Sequence, residues 1–119
     1  MDITNLQVCM IAHLQWKSKL ADFFYGVEEL TLADVPDHTG CDFGKLLYGG
    51  VIEEFSDFGE MNVLEKLHKE VHDDIKRLIQ MPKDDRKSAK GKQALEDFKK
   101  KCDRLINLME RLEAMAKKK

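Results

Sequence analysis

Two histidines lie four positions apart in the segment LHKEVHDDI, residues 67–75. Side chains at positions i and i+4 of an α-helix project from the same face, so a helix here would present the imidazoles of His68 and His72 side by side. Two imidazoles one helical turn apart can supply two of the ligands of a zinc ion. The spacing therefore indicates metal binding, provided that other segments bring the remaining ligands.

Two further residues complete a candidate set of nitrogen and sulfur donors. His13 lies in the middle of the apolar face of the first predicted helix, and Cys41 begins a short helix after a turn. Zinc favours a tetrahedral shell of such imidazole and thiolate ligands. We therefore predict a zinc site formed by His13, Cys41, His68 and His72. The alternative is that each is an ordinary core residue, which explains one buried histidine more easily than three.

We do not include the fourth histidine or the other two cysteines in the predicted zinc site. His38 lies in a loop three residues before Cys41, where it would either compete as a ligand or, as we expect, face solvent. Cys9 and Cys102 lie on apolar stripes of predicted helices, so we expect them to pack in the core. Three cysteines at wide spacing do not match the pattern of a disulfide framework.

Known catalytic motifs do not fit the region around the histidine pair. The metalloprotease signature requires Glu directly after the first His, and Lys69 occupies that position. Glu65 and His68 match one half of a di-iron carboxylate site, but the sequence offers no second copy. It also contains no phosphate loop, dinucleotide fingerprint or nucleophile elbow. We therefore expect that the protein is not an enzyme.

Four predicted helices position these residues. Apolar periodicity predicts helices over about residues 4–25, 41–48, 61–81 and 84–116. In the last of them, apolar residues alternate three and four positions apart, which is typical of helices packed at a shallow angle. We predict an all-α fold, an antiparallel four-helix bundle whose short helix carries the Cys ligand. Residues 1–119 would form a single zinc-binding helical bundle domain.

The composition narrows the class of protein further. The chain is 43% hydrophobic and 35% charged, as expected of a folded helical domain and not of a disordered one. Its formal net charge of −2 gives no basic field for nucleic acid. No apolar run approaches the roughly 20 residues of a membrane span, and the first residues lack the basic start of a signal peptide. We expect a cytoplasmic protein that binds neither nucleic acid nor membranes.

Three blocks of the sequence, taken in order, resemble the chemoreceptor zinc-binding domain family. They are HLQWKSKL at residues 13–20, CDFGKLLYGG at residues 41–50 and HKEVH at residues 68–72. The family pattern has a His followed three residues later by Trp and Lys, then a Cys in a C-x-F-G-K block, then His-x-x-x-His. The similarity covers about residues 5–112. Where Leu46 or Leu47 stands here the block often has Trp, a difference that we expect to alter packing and not ligation.

The resemblance implies a bundle whose core binds Zn²⁺ through three histidines and one cysteine, which by position are His13, Cys41, His68 and His72. It also implies a bacterial sensory or regulatory module, often a homodimer, attached to a chemoreceptor or to a diguanylate cyclase. Such a module would modulate chemotaxis or cyclase signalling in response to zinc, or to oxidation of the Cys ligand by hypochlorous acid. The alternative is a structural zinc site that stabilises a homodimer or a scaffold.

Overall fold

A computed structural model describes residues 3–27 and 29–118, and over these ranges it contains helices and loops but no strand. The predicted all-α class is therefore confirmed, while the antiparallel four-helix arrangement stays a prediction. A 3-10 helix lies at Leu32–Asp34 and a π-helix at Leu47–Val51. The α-helices are, in chain order, α1 (Ile3–Phe24), α2 (Asp42–Leu46), α3 (Ile52–Glu54), α4 (Met61–Ile79), α5 (Lys83–Arg86) and α6 (Ala89–Lys118).

The longest helix, α6, packs against both α1 and α4, and α1 also contacts α4 and α2. At about 1.5 Å of rise per residue, the 30 residues of α6 span roughly 45 Å, close to the molecule's longest dimension of 49 Å. Its predicted apolar stripe is buried at Leu95, Phe98, Cys102, Leu105, Met109 and Leu112. Within the described ranges no helix is both long enough and apolar enough to span a lipid bilayer.

The start of the last helix differs from the prediction. The long helix begins at Ala89 and not near residue 84, because Ser88 caps it: the Ser88 hydroxyl accepts the N–H of Gly91 at 3.3 Å. The residues before Ser88 form the separate short helix α5 after Pro82. The bounds of α1 and α4 lie within two residues of those predicted.

The segment that carries the predicted cysteine ligand continues past the Gly49–Gly50 pair, where we expected its helix to stop. The α-helix ends at Leu46, and the chain then makes a π-helical turn in which Gly50 adopts a φ of 135°, which other residues rarely adopt. Phe43 and Leu47 of this segment are 1% and 0% exposed, so both lie in the core. Core packing thus fixes the segment that positions Cys41.

Candidate metal centre

The four predicted ligands meet where α1, α2 and α4 converge. His13 comes from α1, Cys41 precedes α2, and His68 and His72 come from α4. One donor atom from each residue lies within 4.8 Å of the others. Tetrahedral zinc, with bonds of about 2.0–2.3 Å, holds its ligand atoms about 3.3–3.8 Å apart. The structure therefore brings all four predicted residues together, at a spacing that a contraction of about 1 Å would convert into a zinc shell.

The three imidazoles are buried against one another. His13, His68 and His72 are 5%, 0% and 2% exposed. The ring centroids of His68 and His72 lie 4.7 Å apart, and the His13 ring lies 5.2 Å from that of His68 and 5.7 Å from that of His72. Polar rings are costly to bury unless their nitrogen atoms find partners, so the partners of each ring are informative.

Backbone carbonyls orient two of the three rings. The Nδ1–H group of His13 donates to the carbonyl of Cys9 at 2.8 Å, and that of His72 donates to the carbonyl of Pro36 at 2.9 Å. Because a carbonyl only accepts, each ring carries its proton on Nδ1 and keeps the lone pair on Nε2. This is the outer-shell arrangement that fixes the tautomer and orientation of metal-binding histidines.

Cys41 contacts one of the three imidazoles directly. Its Sγ atom lies 3.2 Å from Nε2 of His68 and accepts the N–H of Gly44 at 3.3 Å. A sulfur and a nitrogen that share a tetrahedral zinc ion lie about 3.6 Å apart, close to this separation.

Two ring nitrogen atoms of the cluster have no hydrogen-bond partner among the described residues. They are Nε2 of His72 and Nδ1 of His68, and both are buried. The residues therefore fit a zinc ion, which would occupy the lone pair of His72.

Burial keeps these histidines neutral. It lowers the pKa of His68 to about 2, with further lowering by the neighbouring imidazoles of His13 and His72. Burial likewise lowers the pKa of His72 to about 4, partly opposed by its hydrogen bond to Pro36. The pKa of His13 is lowered in the same way and raised in part by its bond to Cys9. At neutral pH the rings are thus deprotonated, as ligation requires.

The cysteine thiol shows the opposite response to burial. Burial raises the pKa of the Cys41 thiol, while the backbone N–H groups of Gly44 and Phe43 lower it in part. Zinc binds the thiolate, so its binding would be coupled to loss of the Cys41 proton.

The CDFG block owes its residue types to this packing. A Cβ atom on Gly44 would lie 1.9 Å from the carbonyl oxygen of His38, so only glycine lets the preceding loop lie against α2. The Phe43 ring packs edge-on against His68, with the centroids 5.0 Å apart, and covers that side of the cluster. Residues 41–44 thus contain the candidate ligand Cys41, the Phe43 ring that covers one side of the cluster, and the glycine against which the preceding loop packs.

Predictions were also made for three residues outside the cluster, which are His38, Cys9 and Cys102. His38 does not join the four ligands, and the expectation that it faces solvent is wrong: its side chain is only 18% exposed, with its ring 6.2 Å from that of His68. Tertiary packing of the loop, which no local pattern shows, covers it. Cys9 and Cys102 are 2% and 0% exposed, so their predicted core positions are confirmed. The carbonyl partners of His13 and His72 were not predictable from residue types, because any residue supplies a carbonyl.

An all-α fold that gathers three imidazoles and a thiol at this spacing is that of a zinc-binding helical domain. The family model of the chemoreceptor zinc-binding domain matches residues 13–79, more than half of the chain and all four site residues. The chain belongs to the chemoreceptor zinc-binding domain family. The matched range is shorter than the similarity to about residues 5–112 seen in the sequence, because it begins at residue 13 and ends with α4. Searches of the curated proteins and of the solved structures return no significant match.

Proposed function

We propose that this protein is a cytoplasmic regulatory module that holds one Zn²⁺ ion through His13, Cys41, His68 and His72. The observation that supports this most directly is the buried cluster of four donors, two of them oriented by carbonyls. The ion would supply one centre that ties α1, α2 and α4 together. With four protein ligands the shell is closed to water, so the module regulates and does not catalyse.

The chemistry of Cys41 favours a sensory role over a purely structural one. Among the four ligands only the thiolate is readily oxidised. Cys41 is partly exposed and borders a pocket of about 260 Å³ that also reaches His13 and His72. An oxidant such as hypochlorous acid therefore has a route to the sulfur. Loss of that ligand would uncouple α2 from α4, a local change that an attached chemoreceptor or diguanylate cyclase could read.

Zinc release distinguishes a sensory site from a structural one. The zinc-loaded protein is incubated with a chromogenic chelator, with and without a stoichiometric amount of hypochlorous acid. We expect slow release without oxidant and release of one zinc per chain with it. Cys102→Ser, which changes a buried cysteine outside the site, should behave as the wild type. A site that retains its zinc through oxidation is structural and contradicts the proposal.

A structural site in a homodimer is the second candidate, and one surface favours self-association. Val8, Ile11 and Leu14 on α1 are 52%, 55% and 42% exposed and recur at intervals of three residues. Such a row of apolar side chains is what a second copy of the chain would cover. Sedimentation of Ile11→Glu beside Val63→Glu, whose parent side chain is 48% exposed on α4, tests this surface. Only Ile11→Glu should dissociate a dimer. A monomeric wild type, with or without zinc, removes this candidate.

A further inference from the structure

A second cysteine lies beside the candidate zinc ligand. Cys9 and Cys41 line the same pocket of about 260 Å³. Cys9 lies one helical turn before His13, whose Nδ1–H group bonds to the Cys9 carbonyl at 2.8 Å. Both cysteines therefore border one space between α1 and the start of α2.

We infer that Cys9 is the resolving cysteine of this site and forms a disulfide with Cys41 once Cys41 has been oxidised. The inference rests on the proposed oxidant response. It assigns to Cys9 a chemical role beyond the core packing that its burial provides. It also makes the response reversible, since a disulfide can be reduced by thiols whereas a sulfinic acid cannot.

The reaction has two steps. A peroxide or a hypohalous acid first transfers oxygen to the Cys41 thiolate, which becomes a sulfenic acid while the oxidant is reduced to hydroxide or halide. The sulfur of Cys9 then attacks Sγ of Cys41: the S–S bond forms, the S–O bond breaks, and the hydroxyl leaves with the Cys9 proton as water. The oxidant thus accepts both electrons that the two cysteines lose.

The surroundings of Cys9 suit a resolving role. Cys9 is 2% exposed whereas Cys41 is partly exposed, so an oxidant that enters their shared pocket reaches Cys41 first. In the disulfide, Cys41 cannot return to the metal shell, so the zinc-free state persists until a reductant acts.

Cys102 provides a matched control. It is as buried as Cys9, but it lies on α6. It does not border the pocket that Cys9 and Cys41 share. Its replacement removes a buried sulfur without touching the site.

Peptide mass spectrometry tests the inference on the full zinc-loaded chain. Wild type, Cys9→Ala and Cys102→Ala are treated with one equivalent of hypochlorous acid, quenched in acid, alkylated and digested. We expect wild type and Cys102→Ala to lose two hydrogen atoms per chain and to yield a peptide that links residues 9 and 41. We expect Cys9→Ala to gain oxygen on Cys41 and to be labelled there by a sulfenic-acid probe, with no peptide linked to residue 41.

The wild-type digest alone decides the inference, so a poorly folding Cys9→Ala variant does not obscure it. Zinc release with oxygen added to Cys41 but no linked peptide overturns the role of Cys9 and leaves the sensory proposal standing. A link between Cys41 and Cys102, or between two chains, overturns it equally. Unmodified Cys41 with retained zinc overturns both the inference and the oxidant response on which it rests.

Discussion

The Sγ atom of Cys41 lies 3.2 Å from Nε2 of His68, although the two residues are 27 positions apart in the chain. The contact joins the residue that caps α2 to a fully buried position of α4. Alone, a thiol and an imidazole make only a weak hydrogen bond. A metal shared by these atoms would turn the contact into a strong link, which would add to the core packing that holds α2 in place.

Removal of zinc should therefore destabilise the protein. A ligand present at about 1,000 times its dissociation constant stabilises the native state by about 4 kcal/mol. We expect chelator treatment to lower the free energy of unfolding by an amount of this order, measured by urea denaturation. Cys41→Ser should respond less to the chelator, because its site binds zinc more weakly. Identical denaturation curves for wild type with and without chelator would contradict the proposed role of the metal.

Gly44→Ala should disturb the site through the backbone. The added methyl group would meet the carbonyl oxygen of His38 at 1.9 Å and push the loop away from α2. We expect a loss of about 1–3 kcal/mol in the free energy of unfolding and at least about tenfold weaker zinc binding. Gly49→Ala is the control, since its Cβ would meet nothing within 4 Å. If both variants bind zinc like the wild type, the close approach at Gly44 does not matter.

Acid should destabilise the metal-free protein. Histidine titrates near 6.5 in the unfolded chain, whereas burial lowers the pKa of His72 to about 4 and that of His68 to about 2. Below pH ~6.5 the unfolded chain therefore binds protons that the native chain does not, and stability falls as pH decreases. Each histidine contributes a slope of at most about 1.4 kcal/mol per pH unit, over the window from ~6.5 to ~4 for His72 and further down for His68.

Urea denaturation of the chelator-treated protein at pH 7, 6 and 5 measures this slope. His72→Gln should show a shallower slope than the wild type, since it lacks one of the titrating rings. Zinc affinity should fall in the same direction below about pH 6, because protons compete with the metal for the imidazoles. A metal-free stability that is constant or higher at pH 5 is incompatible with three buried neutral histidines.

Asp74 should matter to the fold and not to the metal. Its side chain is 9% exposed on α4, and its carboxylate pairs with Arg77 and, at 2.9 Å, with Lys101 of α6. Asp74→Asn should lower the free energy of unfolding by about 1–2 kcal/mol, a range that allows for the exposure of both cationic partners. Asp73→Asn is the matched control, since Asp73 is 59% exposed and its contact with Lys69 is 4.0 Å long. Zinc content should be unchanged in both variants. Equal stabilities of the two variants would refute the role of Asp74 in stabilising the fold.

The long helices and the four candidate ligands could be picked out in the sequence because both leave local signals. Apolar periodicity placed α1 and α4 within two residues, and the i, i+4 histidine pair with one cysteine defined the donor types. The start of α6 was also within reach: Ser88 is a good capping residue, but Gly91 stands where a capping box would have Glu, so the signal was incomplete.

The remaining features depend on tertiary structure. The carbonyls of Cys9 and Pro36 orient the rings of His13 and His72, yet a backbone acceptor has no residue type to recognise. His38 is covered because its loop folds over α4, which its loop position could not show. The contact between the His38 carbonyl and Gly44 likewise appears only once the chain is folded.

The metal content of the purified protein shows whether His13, Cys41, His68 and His72 together hold a zinc ion. Wild type, Cys41→Ser and Cys102→Ser are saturated with zinc, passed over a desalting column with a mild chelator, and analysed by inductively coupled plasma mass spectrometry. We expect one zinc per chain for wild type and for Cys102→Ser, and a large loss of zinc from Cys41→Ser. Zinc-free wild type, or Cys41→Ser that retains as much zinc as the wild type, would contradict the proposed zinc site.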